Sequence, residues 1–424
     1  MLSPLLFALA CSTTPTDSAD PADTGGADPD APPGQTMKGT APRVTAPSTA
    51  DLPTLYAENA QFSVELLQAV GGATGNQVLS PYSLHLVMAQ VEAGADGAAK
   101  AAILDAFGWT LPDDRLHEAF NAAGLAVSAH NVAATAEDPA VALTSTNQIF
   151  VDTEYVDLGP AWLDTLSAHY GTGVQVLDFG ADPQGVADDI NAWIAARTGD
   201  HIKDLISAPI VSSSEMMLVN ALYFNASWAV PFSESETSDR AWTLLDGSAV
   251  TAPSVSGAVS VYGADADGYF VAEIPFSDEG LTLTIVLPDA GRYAEVVGAL
   301  DWATLQAVID SEAFCEECEV QLPKFEMEGK PEIQGALVAM GMGDAFGGAY
   351  PGIHPNLTLT AVMQQGFVAF SEKGVEAAAA TVAIFDDSAT EPPFGPVVVD
   401  RPFVWFLRET EGAVLFAGSV VDPR

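Results

Sequence analysis

Apolar positions recur along this chain with two different periods, and the change of period divides it into helical and extended stretches. Phe62, Leu66 and Val70 fall at i, i+4 and i+8, the spacing of one helix face. Ile190, Trp193 and Ile194 mark a second such face, on a helix that Thr198-Gly199 should end. Pro331, Ile333, Leu337 and Met340 predict a third, with proline near its start and Gly341 at its end. Leu281 to Leu287 and Val404 to Leu407 are short continuous apolar runs of the kind buried strands have. The last two strands, joined through Glu409-Thr410-Glu411-Gly412, read as a hairpin. Helices early, strands late and no βαβ alternation predict an α+β fold. No internal repeat stands out.

One segment resists this division. An apolar run, Phe367-Val368-Ala369-Phe370, leads into Glu372-Lys373-Gly374-Val375-Glu376-Ala377-Ala378-Ala379-Ala380-Thr381-Val382-Ala383. A loop rich in Asp, Ser, Thr, Pro and Gly follows, then Pro402 to Leu407. Four consecutive alanines favour helix, and a short solvent-facing helix is one reading. Read with period two, positions 375, 377, 379, 381 and 383 are Val, Ala, Ala, Thr and Ala. A face so small and uncharged can slip between two strands of an existing sheet without steric or charge penalty.

In its wider setting the segment resembles the proximal hinge of the reactive-centre loop of serpins, the serine-protease-inhibitor family. Asn76-Gln77-Val78-Leu79-Ser80-Pro81-Tyr82-Ser83-Leu84 is similar to the start of that family's shutter helix, and Gly94-Ala95-Asp96-Gly97 to the turn after it. Asn191 to Ile194, Thr198-Gly199 and Ile202 to Ile206 resemble the helix over the large sheet and its exit. Asn220-Ala221-Leu222-Tyr223-Phe224 with Trp228, Pro231 and Phe232 is similar to the central strand and breach. Leu322-Pro323-Lys324-Phe325, Gly341-Met342, Ala345-Phe346, Asp400-Arg401-Pro402-Phe403 and Leu415-Phe416-Ala417-Gly418 continue the match in the family's order. The resemblance implies three β-sheets, eight or nine helices and an exposed loop over about residues 372–400.

It also implies a function: suicide inhibition of a serine-type endopeptidase, with the hinge inserting into the large sheet after cleavage. The family's usual spacing from the hinge glutamate, Glu372, puts the scissile bond at Ser388-Ala389, with cleavage after Phe385 or Asp387 as alternatives. Between Lys373 and Arg401 there is no Arg or Lys, so elastase-, subtilisin- or chymotrypsin-like targets are expected and trypsin-like ones are not. Ser80, Ser83 and Asn220 match the family's shutter, and Trp228 its breach. Two positions depart from the pattern. Gln364 stands where the family has a shutter histidine; an amide both donates and accepts, so the network is expected to survive without a titrating member. Val375 replaces a common Thr and remains uncharged and β-branched. The alternative reading is a non-inhibitory serpin, a cleavable substrate, carrier or storage protein, although such members tend to carry charge, Pro or bulk in the hinge. A surface adhesin built on the same fold has only the N-terminal segment in its favour.

Composition sharpens the choice of partners. With 57 acidic and 14 basic side chains the formal charge is −43, which disfavours nucleic acid and anionic membrane. No Lys/Arg cluster for a heparin-like polyanion is visible. At the N-terminus, residues 1–10 read as a signal-like segment too short to span a bilayer. Ala8-Leu9-Ala10 is a small-x-small cleavage pattern, and Cys11 resembles a bacterial lipoprotein attachment site, although Ala8 stands where Leu is preferred and no basic residue precedes the apolar stretch. Plain secretion is the alternative. Residues 11–50, rich in Thr, Ser, Asp, Pro and Gly, read as a flexible tether, leaving 51–424 as the folded domain. An exported monomer at the cell surface is expected, with the periplasm as runner-up. Cys315-Glu316-Glu317-Cys318 lacks a second Cys or His pair for zinc, which leaves a local disulfide or two inert thiols. The six histidines lie in no catalytic motif and there is no Gly-rich phosphate loop, so neither an enzyme nor a cofactor is expected.

Overall fold

The computed structural model describes residues 31–131, 141–375 and 392–424. In chain order these form β1 (Gln35–Met37), α1 (Leu52–Ala69), β2 (Gln77–Leu79), α2 (Pro81–Glu92), α3 (Gly97–Phe107), α4 (Asp113–Ala129), β3 (Ala142–Asp152), α5 (Pro160–Thr165), β4 (Val174–Leu177), α6 (Pro183–Arg197), α7 (Ala208–Ser212) and β5 (Met216–Ser227). They continue as β6 (Ser238–Thr243), β7 (Ala249–Ala266), β8 (Tyr269–Pro275), β9 (Leu281–Pro288), α8 (Tyr293–Ala299), α9 (Trp302–Ile309), β10 (Ala313–Pro323), β11 (Phe325–Gly329), α10 (Ile333–Ala339), β12 (Leu359–Ser371), β13 (Gly374–Val375), β14 (Val397–Val398), β15 (Phe403–Glu409) and β16 (Val414–Val420). The α+β class and all three helices read from apolar spacing are present, as is the terminal hairpin β15–β16.

A seven-stranded sheet has the order β1-β4-β3-β5-β13-β12-β11, and a nine-stranded one the order β14-β10-β7-β8-β9-β15-β16-β2, with β6 paired to β7. Three sheets were expected, and the difference has a simple cause. β7 is 18 residues long. It pairs with β6 near its start and with β8 near its end, while β10 pairs with it from Ser254 to Gly263, so the second and third sheets are one continuous ladder. The described residues hold ten α-helices rather than eight or nine.

The seven-stranded sheet is covered on both faces, and strand alternation decides which residues go where. On β5, Met216, Leu218 and Phe224 join the main core, while Met217, Val219 and Ala221 join a smaller core under α6 with Ile190, Trp193 and Ile194. On β12, Val362, Val368 and Phe370 point to the main core. Asn220 and Gln364 therefore fall on the inward series, at positions the pattern reserves for apolar groups. Cys315 and Cys318 form a disulfide across the point where the β10–β7 register shifts, which settles the choice left open by the sequence.

The folded body begins earlier than residue 51. β1 pairs antiparallel with β4 at the edge of the seven-stranded sheet. Beyond it, the amides of Thr40 and Ala41 donate to Asp164 Oδ1 (2.6 and 2.9 Å), Val44 N donates to Ala168 O (2.9 Å), and Asn121 Nδ2 donates to Val44 O (2.8 Å). A tether over the whole of 11–50 was inferred from a lack of apolar side chains. Residues 35–50 instead dock largely through main-chain groups, which composition does not report. Gly39 makes the approach possible: a Cβ there would lie 2.4 Å from the backbone of Leu163 and Asp164. Gly39→Val should therefore detach the segment, exposing residues 35–50 to limited proteolysis that the parent protein resists. Equal resistance in both proteins would show that the packing is looser than described.

Candidate functional site

Two strands and the residues between them make the site. β5 and β12 run parallel, from Met216 beside Leu359 up to Tyr223 beside Phe367. Above that point they part, and β13 lies between them, antiparallel to both: Gly374 faces Ser227 and Ser371, and Val375 faces Ala226 and Phe370. Gly374 is required by its φ of +143° and because a Cβ would lie 2.1 Å from the Ala226 carbonyl. Val375 is fully buried.

The turn that feeds β13 is anchored from three sides. Trp228, stacked on Phe276, donates from Nε1 to Ser371 O (3.0 Å) and from its backbone to Lys373 O (3.0 Å). Phe232 N donates to Glu372 O (2.8 Å). The Glu372 carboxylate accepts from Thr237 Oγ1 (2.8 Å) and from Lys324 Nζ (3.0 and 3.2 Å). Burial alone raises its pKa, but hydrogen bonds from its own backbone, Thr237 and Lys324, with the Lys324 charge, outweigh that and hold it below the usual carboxylate range.

Lower down, where β5 and β12 are still joined, the inward polar side chains meet at the start of α2. Asn147 on β3 is in register with Asn220 on β5, and Asn220 with Gln364 on β12, so three amides line up across the sheet. Gln364 Nε2 donates to Asn220 Oδ1 (3.0 Å) and to Ser80 O (2.8 Å), and its Oε1 accepts from Ser80 N (3.0 Å). Asn220 Nδ2 donates to Asn147 Oδ1 (2.7 Å) and to Ser83 Oγ, which itself donates to Asn147 Oδ1 (2.8 Å). Ser80 caps α2 by accepting from Ser83 N (3.2 Å) and donates its hydroxyl to Leu415 O on β16 (2.8 Å). Ser80, Ser83, Asn220 and Gln364 are all buried, so each lost bond would strand a polar group away from water, at about 1–3 kcal/mol.

A family model described as Serpin (serine protease inhibitor) matches residues 57–423. The chain belongs to the serpin family. A serpin-like protein of Methanosarcina acetivorans is 28% identical over 374 residues, covering 86% of this chain and 85% of its own. Serpin-Z1C of Triticum aestivum is 30% identical over 390 residues, covering 87% and 96%. Among solved structures, the native thermophilic serpin tengpin superimposes with a TM-score of 0.78 at 20% identity, covering 91% of this chain and 97% of its own. Native protease nexin-1 with heparin gives 0.75 at 22%, covering 88% and 100%. Serpins are in general protease inhibitors rather than catalysts, so this serpin is not an enzyme.

Of the site residues named from sequence, the serpin brings Ser80, Ser83, Asn220 and Gln364 into one network, and Trp228, Glu372, Gly374 and Val375 into the parted end of the sheet. Glu376, Ala377, Ala378, Ala379, Ala380 and Thr381, the candidate bond Ser388-Ala389, its alternatives at Phe385 and Asp387, and Cys11 lie outside the described residues. Sequence reasoning missed Asn147 and the clasp on Glu372 made by Lys324 and Thr237. Asn147 lies in an unbroken polar run, Thr144 to Gln148, where no local signal singles it out, and the clasp joins residues too far apart in sequence to be seen together.

Burial lowers the pKa of His85 to about 3, and lowers that of His117 to about 4 with help from the charge of His169. Both imidazoles are thus neutral above pH 5, and the network itself contains no histidine. With no titrating member in the network, loop-peptide uptake into the sheet should be less pH-dependent between pH 6 and 7 than in a variant carrying an imidazole there. Gln364→His should make it pH-dependent, with the rate changing as pH falls below the free imidazole value of about 6.5, because burial favours the neutral ring. A sharp pH 6–7 transition in the parent protein would contradict this account of the network.

Proposed function

We propose that this serpin inhibits a serine-type endopeptidase as a suicide substrate, with Ser388-Ala389 as the bond attacked. The observation that carries the reading is β13: the hinge has its first two residues between β5 and β12, with Val375 buried in the core. The protease serine attacks the Ser388 carbonyl, the amine of Ala389 leaves, and an acyl-enzyme ester remains. Insertion of a serpin reactive loop as a new strand is an established form of strand addition, and here it must outrun hydrolysis of that ester.

The register of β13 allows the inserted strand to be drawn. Each residue further along the loop meets one residue further down β5, so Thr381 would meet Asn220 and Phe385 would meet Met216 at the strand's end. On the other side, Thr381 would meet Gln364. Inward positions would then be Val375, Ala377, Ala379, Thr381 and Ala383, the small face noted in the sequence. Thr381 would arrive between Asn220 and Gln364, where its hydroxyl can replace the bond that insertion breaks. Ser388 lies three residues beyond the base of β5 in this register, leaving a short lead to the protease. A cut after Phe385 would leave none, which favours Ser388. From Glu372 to Ser388 the strand spans roughly 50 Å at about 3.3 Å per residue. Some dozen new sheet hydrogen bonds at about 1 kcal/mol net supply on the order of 10 kcal/mol, enough to distort a protease active site.

Incubation with elastase, subtilisin and chymotrypsin should give a band at the summed mass that survives denaturant, and mass spectrometry of the released C-terminal peptide should begin at Ala389. Thr381→Glu should turn the inhibitor into a substrate, cleaved at the same bond without the heavy band. Clean cleavage by all three proteases without a heavy band would sink the inhibitor reading for those targets.

We further propose that the protein is exported and lipidated at Cys11, with the small-x-small pattern before it as support. Palmitate labelling in a bacterial host should be lost in Cys11→Ser, and an unlabelled parent protein would leave plain secretion.

A further inference from the structure

A cavity of about 480 Å³ lies beside α2, α4 and β3, against the π-helical turn Leu166–Tyr170 that follows α5. The chain carries only 14 Lys and Arg against 57 Asp and Glu. Yet the described residues around this cavity include Arg43, Arg197 and His169, and not one carboxylate. In a protein this acidic, such a wall is the opposite of what the overall composition leads one to expect.

The wall also holds polar atoms without a hydrogen-bond partner among the described residues: Arg43 Nη1, the Tyr82 hydroxyl and His169 Nδ1, all buried. Tyr82 is 5% exposed, so its hydroxyl is not served by bulk water. Leaving buried polar atoms unpaired is costly, and most costly for a guanidinium. Burial lowers the pKa of Arg43, and burial together with the Arg43 charge lowers that of His169, outweighing the opposite pull of the Glu118 charge. Arg43 is held there by the docked N-terminal segment, through Val44 N to Ala168 O and Asn121 Nδ2 to Val44 O. The rest of the wall is mixed: Leu86, Phe120, Val127 and Leu143 give it an apolar patch, and Gln90, Asn131 and Thr172 stand beside them.

We propose that this cavity binds a small organic anion, one carboxylate or phosphate head on a compact apolar or aromatic body. The Arg43 guanidinium supplies the planar fork that both head groups match, and the Tyr82 hydroxyl donates a further bond. The volume suits such a ligand, since small-molecule pockets run from about 300 to 1,000 Å³. Asn147 belongs both to the cavity wall and to the buried amide network.

The test is calorimetric titration of the intact protein with benzoate, phenyl phosphate, inorganic phosphate and benzylamine. Benzoate or phenyl phosphate should bind saturably at one site, about ten-fold or more tighter than inorganic phosphate, and benzylamine should not bind. The two aromatic anions tell a carboxylate site from a phosphate site. Arg43→Gln and Tyr82→Phe should each weaken binding about five-fold or more. Tyr82→Phe removes only a hydroxyl with no partner, so it keeps the fold even if the Arg43 variant loosens the N-terminal segment. Exposed Arg240→Gln on β6 should change nothing. Absence of saturation by either aromatic anion at millimolar concentration, or binding that survives both cavity substitutions, would overturn the proposal.

Discussion

The structure turns on the junction where β5 and β12 stop pairing with each other and begin to pair with β13. Below it the two strands share a parallel ladder; above it the same edges are occupied by Gly374 and Val375. Extending β13 downward exchanges one set of backbone hydrogen bonds for two, so the backbone alone favours insertion at every step. What resists is the line of amides on the inward face, tied through Ser80 and Ser83 to α2 and through Leu415 to β16. Buried networks of this kind are strong when every member is paired and costly when one bond is lost. The sheet is thereby closed at its middle by side chains and parted at its end by the loop.

Part of this was legible in the sequence, the amide line through the family resemblance and the hinge face through alternation. Ser80, Ser83, Asn220 and Gln364 were named through the family resemblance, and the structure adds that Asn220 and Gln364 are polar residues on the apolar, inward series of β5 and β12. The small face at 375, 377, 379, 381 and 383 is readable by alternation. Other features depend on contacts that no local pattern encodes. Lys324 and Thr237 meet Glu372 across long stretches of chain. The N-terminal segment docks through its backbone, so its polar composition concealed it. The disulfide depends on a register shift in β10, and the merging of two sheets depends on the length of β7.

The strong negative charge has a structural counterpart. The few cations of this chain are not spread evenly: Lys324 holds the hinge glutamate, Arg408 forms a buried pair with Glu273, and Arg43 and Arg197 share one cavity. Lys324 and Arg408 each meet a particular buried carboxylate, Glu372 and Glu273. In a protein with so few cations, their positions say more than their number.

The amide line also explains how an intact loop and a cleaved one can differ. In the register of β13, residues 376–380 would pair with β5 before Thr381 reaches Asn220. Those five residues gain about 5 kcal/mol at about 1 kcal/mol each, more than the roughly 1–3 kcal/mol that opening one buried amide bond costs. Energy alone would therefore let the strand pass. An intact loop, however, must still return to Pro392 and to β14 on the other sheet, and every residue inserted is taken from that return path. Cleavage removes this constraint without changing a single contact in the sheet. Under the proposed mechanism the barrier to insertion in the intact protein is set by chain connectivity and by the amides together, and a protease that cut the loop would abolish the first and leave the second too weak to hold.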